Sequence, residues 1–179
     1  MDDAAAWRKS VEDERAGRGA FYLGKDTPLS IESRERFHGL QWFALDARFR
    51  VRSAKLRRHE APIAGRVGAT GLDAVAMLEV GELRFELLGK SVRLFAYSPT
   101  PGASDEDYIL VPFRDETSGK ETYGAGRYLD VEPDARDEYE LDFNRAYHPY
   151  CAHDDAWACT LPPPENKLPL RVEAGERMR

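Results

Sequence analysis

The sequence predicts a mainly β protein: an antiparallel β-sandwich or flattened barrel with one or two short N-terminal helices and a Pro-rich C-terminal covering loop. Two observations predict this class. About eight short apolar segments follow one another closely between turn residues, and helical periodicity is confined to the N-terminal end, which leaves no crossover helices for a parallel sheet. The chain has 179 residues, enough for one domain, so we expect a single domain over residues 1–179.

The helical elements come first in the chain. An N-terminal helix or arm is predicted over residues 1–20, where Gly17 and Gly19 are expected to end it. A second, shorter helix is predicted to begin at Thr27-Pro28 or at Ser30 and to end just before Gly39. The buried face of the first helix is marked by three apolar residues at helical spacing: Ala4, Trp7 and Val11.

The β core is predicted over residues 43–143. Apolar and polar residues alternate from Phe43 to Val51, which is the clearest strand pattern in the chain. The further predicted strands are 74–80, 83–88, 91–97, 108–114, 122–131, 139–143 and a final strand at 168–172. Gly81-Glu82 and Gly89-Lys90 are predicted as hairpin turns, which would make residues 74–97 a three-stranded meander.

Residues 144–167 form a segment without periodicity that contains several prolines and both cysteines of the chain. Long connections of this kind are either disordered or functional. Three large rings argue against disorder: Tyr147, Tyr150 and Trp157. We therefore predict a loop packed over the sheet.

The densest polar run lies at the end of the predicted strand 139–143. Asp142 and Asn144 share one face there, and Arg145 and Tyr147 leave the strand end together. Such a group could bind a polar ligand, with the guanidinium pairing an anion and the carboxylate acting as a base. The alternative is that the acid and the arginine pair with each other while the amide caps the loop.

A second polar run, residues 122–130, contains glycines inside a predicted strand. Such glycines mark a bulge or a close approach by another chain segment or a ligand. Tyr128 could stack on a ligand and Arg127 could hold its charge. The alternative is close packing of a neighbouring element. The run is not a dinucleotide-binding fingerprint, because it lacks the third glycine and the following helix.

Residues 48–58 carry six positive charges and no acid, whereas the whole chain has a net charge of -6. The overall charge opposes nucleic-acid binding. We therefore predict a solvated basic face paired across strands with Glu79, Glu82 and Glu86. The chain begins with acids and has no apolar stretch of roughly 20 residues, so we expect a cytoplasmic protein with no membrane partner.

Cys151 and Cys159 are flanked by His148 and His153. Two thiols and two imidazoles could bind zinc, but their spacing matches no standard zinc pattern. A disulfide and two buried thiols are the alternatives. Motifs for hydrolases, phosphate-binding loops and zinc proteases are absent, and we expect no cofactor.

Three literal segments, FRDETSGKETYGAGRYLDV, LDFNRAYHPYCA and TLPPPENKLPLRVEAGE, resemble the domain of unknown function 1684 family of bacteria and archaea. The resemblance extends upstream through LQWFALDARFRV and GELRFELLGK, and it implies no activity. The family typically has Asn at the position of His148, which makes this residue a poor candidate for an essential ligand. The family's distinctive positions fall on Thr122, Tyr123, Gly126, Arg127, Tyr128, Asp142, Phe143, Asn144, Tyr147, Cys151, Cys159, Pro162, Glu165 and Asn166.

The leading functional hypothesis is a polar pocket between the 144–167 loop and the glycine-containing strand. Arg127 and Arg145 would hold a small anionic ligand there, as in many pockets at barrel mouths. A hydrolase that uses the same pocket, with Asp142 or Glu165 as general base, is an extension of this hypothesis. A structural or protein-binding module without a ligand is the alternative. The other predicted ligand-binding residues are Tyr128, Asn144, Tyr147 and Asn166.

Overall fold

The computed structural model describes residues 3–64, 68–69, 77–98, 109–132 and 138–178. Its helices are α1 (Asp3–Leu23) and α2 (Ile31–Arg36). Its strands are β1 (Gln41–Trp42), β2 (Arg50–Ala64), β3 (Gly68–Ala69), β4 (Leu78–Leu87), β5 (Lys90–Ser98), β6 (Ile109–Phe113), β7 (Arg127–Val131), β8 (Glu138–Asp142), β9 (Thr160–Leu161) and β10 (Glu176–Arg177).

The centre of the fold is a six-stranded antiparallel sheet of order β7-β6-β5-β4-β2-β8. Its two end strands, β7 and β8, also contact each other, so the sheet curls into a half-barrel around the apolar core. Core residues with no more than 1% exposure include Leu83, Leu94, Val111, Leu141 and Phe143. The predicted mainly β, antiparallel fold class is confirmed.

The predicted strand 43–51 is wrong over most of its length. Residues 47–49 form one turn of 3-10 helix, and β2 begins only after it. The side-chain amide of Asn144 accepts from the N–H of Asp46 and donates to its carbonyl oxygen, both at 2.9 Å. This distant side chain therefore makes the backbone hydrogen bonds that a neighbouring strand would otherwise make. The alternation did correctly predict that Phe49 is buried.

The predicted turn at Gly81-Glu82 is also wrong, because β4 runs straight through it. Gly81 instead allows β2 to come close: a Cβ atom there would lie 2.4 Å from the carbonyl oxygen of Arg57. The second predicted turn lies one residue earlier, at Leu88 and Gly89, with φ angles of 51° and 74°. The predicted meander is therefore one hairpin, and residues 74–76 lie outside the described residues.

Helix α1 continues through Gly17 and Gly19 to Leu23, so the predicted end at these glycines is wrong. Glycine in a helix costs about 1 kcal/mol relative to alanine. Burial of Tyr22 in the last turn, which has 0% exposure, offsets that cost. The helix is fixed at its other end by Trp7, whose Nε1 donates to Asp142 Oδ2 at 2.7 Å.

Replacing Trp7 with Phe should lower the free energy of unfolding by about 1.5–3 kcal/mol, since a buried carboxylate loses a hydrogen bond. Chemical denaturation followed by circular dichroism measures the change. Leu23→Ala is the control on the same helix: its side chain is exposed, and we expect a change within about 0.5 kcal/mol. Equal effects of the two substitutions would contradict this role for the indole.

The basic segment 48–58 pairs with acids on several elements. Its ion pairs among the described residues include Arg48 with Asp46, Arg50 with Glu140 and Arg52 with Asp3, and none of these three uses an acid that the sequence predicted. Glu82, one of the predicted partners, is paired within the β4–β5 hairpin to Arg84 and Arg93. Local pairing and the β8 neighbour therefore neutralise much of this segment.

Residues 168–172, the predicted final strand, form no regular strand; the last strand is β10. The alternate residues Leu168, Leu170 and Val172 are nevertheless buried, and the segment lies against the loop after β6, where the N–H of Val172 donates to Asp115 Oδ2 at 2.7 Å. The 144–167 segment contains one-turn 3-10 helices at 150–152 and 164–166, and β9, which pairs with β3. Within the described residues, no helix has the length and apolar character needed to cross a bilayer.

Candidate functional site

Arg127 is held inside the protein. Its side chain is 1% exposed, and it donates to the carboxylate of Asp115 and to the carbonyl oxygens of Val172, Ala174 and Glu176. Burial lowers the pKa of Arg127 to about 10, although the adjacent carboxylate opposes this shift. These contacts tie β7 to the C-terminal segment.

Most of the other predicted site residues are also engaged within the protein. Asp142 accepts from the indole of Trp7 and from the backbone and side-chain amides of Asn144. Asn166 bridges β5 and β6, and the hydroxyl of Tyr128 donates to the carbonyl oxygen of Thr160. Glu165 lies exposed in a one-turn helix. Ligand binding by these residues remains a prediction, and their contacts in the structure are internal.

Gly126 lies just before β7 with φ of 110°. A Cβ atom at this position would lie 2.6 Å from the carbonyl oxygen of Phe113 and 2.7 Å from Pro162 Cγ. The glycine is therefore required by close packing of β6 and the proline segment, which is the alternative that the sequence left open for this run.

Cys151 and Cys159 are buried thiols rather than a disulfide. The backbone N–H of Cys151 lies 3.3 Å from the sulfur of Cys159. The contact with the Cys151 thiol, together with burial, raises the pKa of Cys159. The nearby histidines turn toward Glu176, so they do not complete a zinc site with the thiols.

Two of the predicted ligand residues, Arg145 and Tyr147, do line a cleft. This arginine cleft, of about 260 Å³, lies between α1 and the end of β8. Its other cations are Arg15 and Arg18 of α1. The guanidinium of Arg15 lies over the ring of Trp42 at 4.8 Å, and that of Arg18 over Tyr147 at 3.8 Å.

The described lining of the arginine cleft holds more cations than acids. Arg15 donates to the carbonyl oxygens of Phe43 and Asn144, and burial lowers its pKa. Burial also lowers the pKa of Arg145. The described residues that line the cleft include three arginines and two acids, Glu14 and Asp130.

One acid of this cleft already pairs with one of its arginines. Glu14 is paired with Arg145, whose Nε also lies 3.4 Å from Asp142 Oδ2. Asp130 accepts from the hydroxyl of Tyr147 at 2.8 Å, and burial raises the pKa of this carboxyl. Arg18 donates from Nη2 to the carbonyl oxygen of His148 at 3.3 Å. Its Nε is buried with no hydrogen-bond acceptor among the described residues, and Glu176 Oε2 is 3.9 Å away.

Glu176 is the centre of a second, buried polar group. Its side chain is 1% exposed, and its Oε1 lies 3.2 Å from His148 Nδ1 and 2.9 Å from His153 Nε2. Its Oε2 accepts from the backbone N–H of His148 at 3.0 Å. Burial alone would raise the pKa of Glu176, but the two imidazoles outweigh it and bring the pKa to about 2. The carboxylate is therefore ionised at neutral pH.

Two imidazoles and a carboxylate are also a set of metal ligands, and their ligand atoms lie within 4.8 Å of one another. A metal-bound imidazole normally donates from its second nitrogen to an acceptor. Here Nε2 of His148 faces a donor, the backbone N–H of Tyr123, at 3.2 Å. Nε2 of His148 is therefore unprotonated, and Nδ1 carries the proton of the neutral ring. His148 is thus arranged to donate to Glu176, not to bind a metal.

His153 and Glu176 lie at the wall of a cleft of about 260 Å³ that we call the histidine cleft. Its described lining also includes Arg36, His38 and Arg177. Glu176 is the one acid in that lining, and its charge is already engaged by the imidazoles. An approaching molecule therefore meets mainly cationic or neutral groups.

Sequence reasoning missed the residues that these clefts depend on most. Glu176 and His148 are 28 positions apart, and no motif connects them. Arg18 was not singled out, because the first helix was expected to end at the glycines on either side of it. The one usable signal was that three of the four histidines of the chain fall near the cleft: His38, His148 and His153.

A sequence model described as a protein of unknown function, DUF1684, matches residues 35–177. The chain belongs to the DUF1684 family. This DUF1684 protein is also similar to the solution NMR structure of an uncharacterized protein from Haloarcula marismortui. The two are 38% identical, with a TM-score of 0.77 over 99% of this chain and 98% of the other. No curated protein matches the chain.

Proposed function

We propose that this DUF1684 protein binds a small anionic molecule in the arginine cleft. The observation that carries the proposal is Arg18. Its guanidinium lies over the ring of Tyr147 at 3.8 Å and donates from Nη2 to the carbonyl oxygen of His148, but its buried Nε has no hydrogen-bond acceptor among the described residues. Leaving a buried charged donor unsatisfied is unfavourable, and a bound anion would relieve that cost.

The electrostatics of the cleft favour the same ligand class. Burial destabilises the charged forms of Arg15 and Arg145, as the direction of their pKa shifts indicates. A carboxylate or phosphate placed among the three arginines would stabilise all of them, because charge-assisted hydrogen bonds are the strongest available to guanidinium groups.

The dimensions of the cleft limit the size of the ligand. Pockets for drug-sized molecules usually measure about 300–1,000 Å³, and the arginine cleft is slightly smaller, at about 260 Å³. Its aromatic walls, Trp42 and Tyr147, are already covered by guanidinium groups. We therefore infer a compact ligand with one or two acidic groups, held mainly by charge.

The proposal predicts that Arg18→Gln weakens anion binding at least about tenfold, since a hydrogen bond to a charged group contributes about 1.5–3 kcal/mol. Isothermal titration with inorganic phosphate and with succinate measures the affinity and distinguishes phosphate from carboxylate recognition. Binding should also weaken as salt is added, because the site is open to solvent.

Two further variants complete this test. Arg18→Lys keeps the charge and should retain part of the affinity, which separates charge from the planar donor geometry. Arg8→Gln removes an exposed arginine of the same helix and should leave binding unchanged. If phosphate and succinate fail to bind, or if Arg18→Gln binds them equally well, the arginines only pack α1 against the sheet. The structural alternative would then be the better account.

A further inference from the structure

We propose that the histidine cleft is a hydrolytic site, in which His153, oriented by Glu176, acts as general base on a water molecule that attacks a small anionic carboxylic ester. This cleft is separate from the arginine cleft, so the inference does not rest on the proposed function. Different residues and different measurements test the two ideas.

Glu176 determines how His153 is oriented. The imidazole Nε2 lies 2.9 Å from Glu176 Oε1, and the other oxygen of the same carboxylate, Oε2, accepts from the backbone N–H of His148. The ring is held from the side by Tyr22, with centroids 4.9 Å apart, and by Phe37, at 6.0 Å. An imidazole that gives its Nε2 proton to a carboxylate keeps Nδ1 as an acceptor.

Nδ1 is the ring nitrogen of His153 that is available to accept a proton. It has no hydrogen-bond partner among the described residues, whereas Nε2 is buried 2.9 Å from Glu176 Oε1, at ion-pair distance but without the alignment of a hydrogen bond. A carboxylate behind an imidazole stabilises the imidazolium that forms when the ring takes up a proton. His153 and Glu176 therefore have the arrangement of a base and its positioning residue.

Water is the nucleophile that this cleft can use. Ser33 is the one hydroxyl-bearing residue among the described residues of the lining, and its side chain hydrogen-bonds to Asp154. In the step we infer, Nδ1 of His153 takes a proton from water as the water oxygen bonds to the ester carbonyl carbon. The ester C–O bond then breaks, and the departing alcohol oxygen receives that proton from the imidazolium.

The cations around the cleft select the substrate class. Arg177 lies over the ring of Phe43 at 5.5 Å, and Arg36 is exposed on α2 with Glu32 as its partner one turn away. Both line the cleft with His38. A substrate that carries a carboxylate beside its ester would be attracted to this rim, and the developing oxyanion would be stabilised by the same charges.

The charged and titratable groups around His153 set the expected pH dependence. They are Glu176, His148 and Tyr22 in contact or close by, Arg18 behind Glu176, and His38, Arg36 and Arg177 on the cleft lining. Because only a deprotonated imidazole can act as base, hydrolysis should be faster at alkaline than at acidic pH.

Hydrolysis of mono-(4-nitrophenyl) glutarate tests the proposal, with 4-nitrophenyl acetate as the uncharged comparison. The protein should hydrolyse the anionic ester with the higher kcat/KM. His153→Gln should lower that kcat/KM at least about 100-fold, the size of a general-base contribution. His59→Gln, which removes an imidazole that pairs with Glu79 on the β2–β4 face, should leave the rate unchanged.

Two variants separate catalysis from folding. His153→Gly should be inactive but regain hydrolysis when free imidazole is added, an effect that a purely structural histidine would not show. Glu176→Gln should lower kcat more than it changes KM and should alter the pH profile, as expected for a positioning residue. Equal rates for the unaltered protein and His153→Gln, or a failure of imidazole to restore His153→Gly, would overturn the assignment.

Discussion

Replacing Asp115 with Asn should lower the free energy of unfolding by about 3–5 kcal/mol, because it leaves the guanidinium of Arg127 buried without a counter-charge. The ion pair is 3.1 Å long, and the two side chains are 1% and 0% exposed. The same carboxylate accepts from the N–H groups of Thr117 and Val172. The side-chain NH2 group of Asn would place a hydrogen-bond donor opposite the donors that now bond to the carboxylate.

The melting temperature should fall by roughly 6–20 °C, given about 2–4 °C per kcal/mol for a chain of this size. Thermal and urea unfolding followed by circular dichroism would measure both quantities. Asp13→Asn is the control: its pair with Lys9 is largely exposed, and we expect a loss of less than about 1 kcal/mol. A similar small loss for Asp115→Asn would show that Arg127 is not essential to the fold and would restore it as a ligand-binding candidate.

Stability should also fall as the pH is lowered from about 7 to 5, through His148. Burial lowers the pKa of this imidazole from its ordinary value of 6.5. The unfolded chain therefore binds a proton below pH 6.5 that the folded protein resists, and the free energy of unfolding decreases by up to about 1.4 kcal/mol per pH unit.

Glu176 extends the same trend to lower pH. Its pKa is lowered from 4.5 to about 2, so its contribution is complete above pH 4.5 and is lost as the pH falls toward 2. Urea unfolding at a series of pH values would separate the two windows. His148→Asn keeps an N–H donor near Glu176 and should flatten the upper window, whereas His38→Asn, at an exposed position, should leave it intact. A curve unchanged by His148→Asn would contradict this assignment.

Local patterns predicted most of the sheet. Strands β5, β6 and β8 fall where period-two alternation and turn residues placed them, because these signals depend on neighbours in the sequence. The failure at 43–51 has a long-range cause: Asn144 bonds the backbone of Asp46 across 98 positions. Gly81 was interpreted as a turn residue, but it is required where β2 approaches β4.

The candidate site was less predictable than the fold. The sequence correctly identified Arg127, Asp142 and Asn144 as unusual polar residues, yet it could not distinguish a ligand site from a buried network. That distinction depends on partners such as Asp115 and Trp7, which only the folded chain brings near. Neighbouring residues Arg145 and Tyr147 do line a cleft, because they follow the strand end and face α1.

The arginine cleft is built from two parts of the chain, the N-terminal helix and the segment that follows β8. Arg15 and Arg18 belong to α1, which precedes the region matched by the family sequence model, whereas Arg145 and Tyr147 lie within that region. A relative with a different leading segment could thus keep the curled sheet and lose two of the three cations. The charge of the cleft would then vary with the first two dozen residues, independently of the scaffold that they cover.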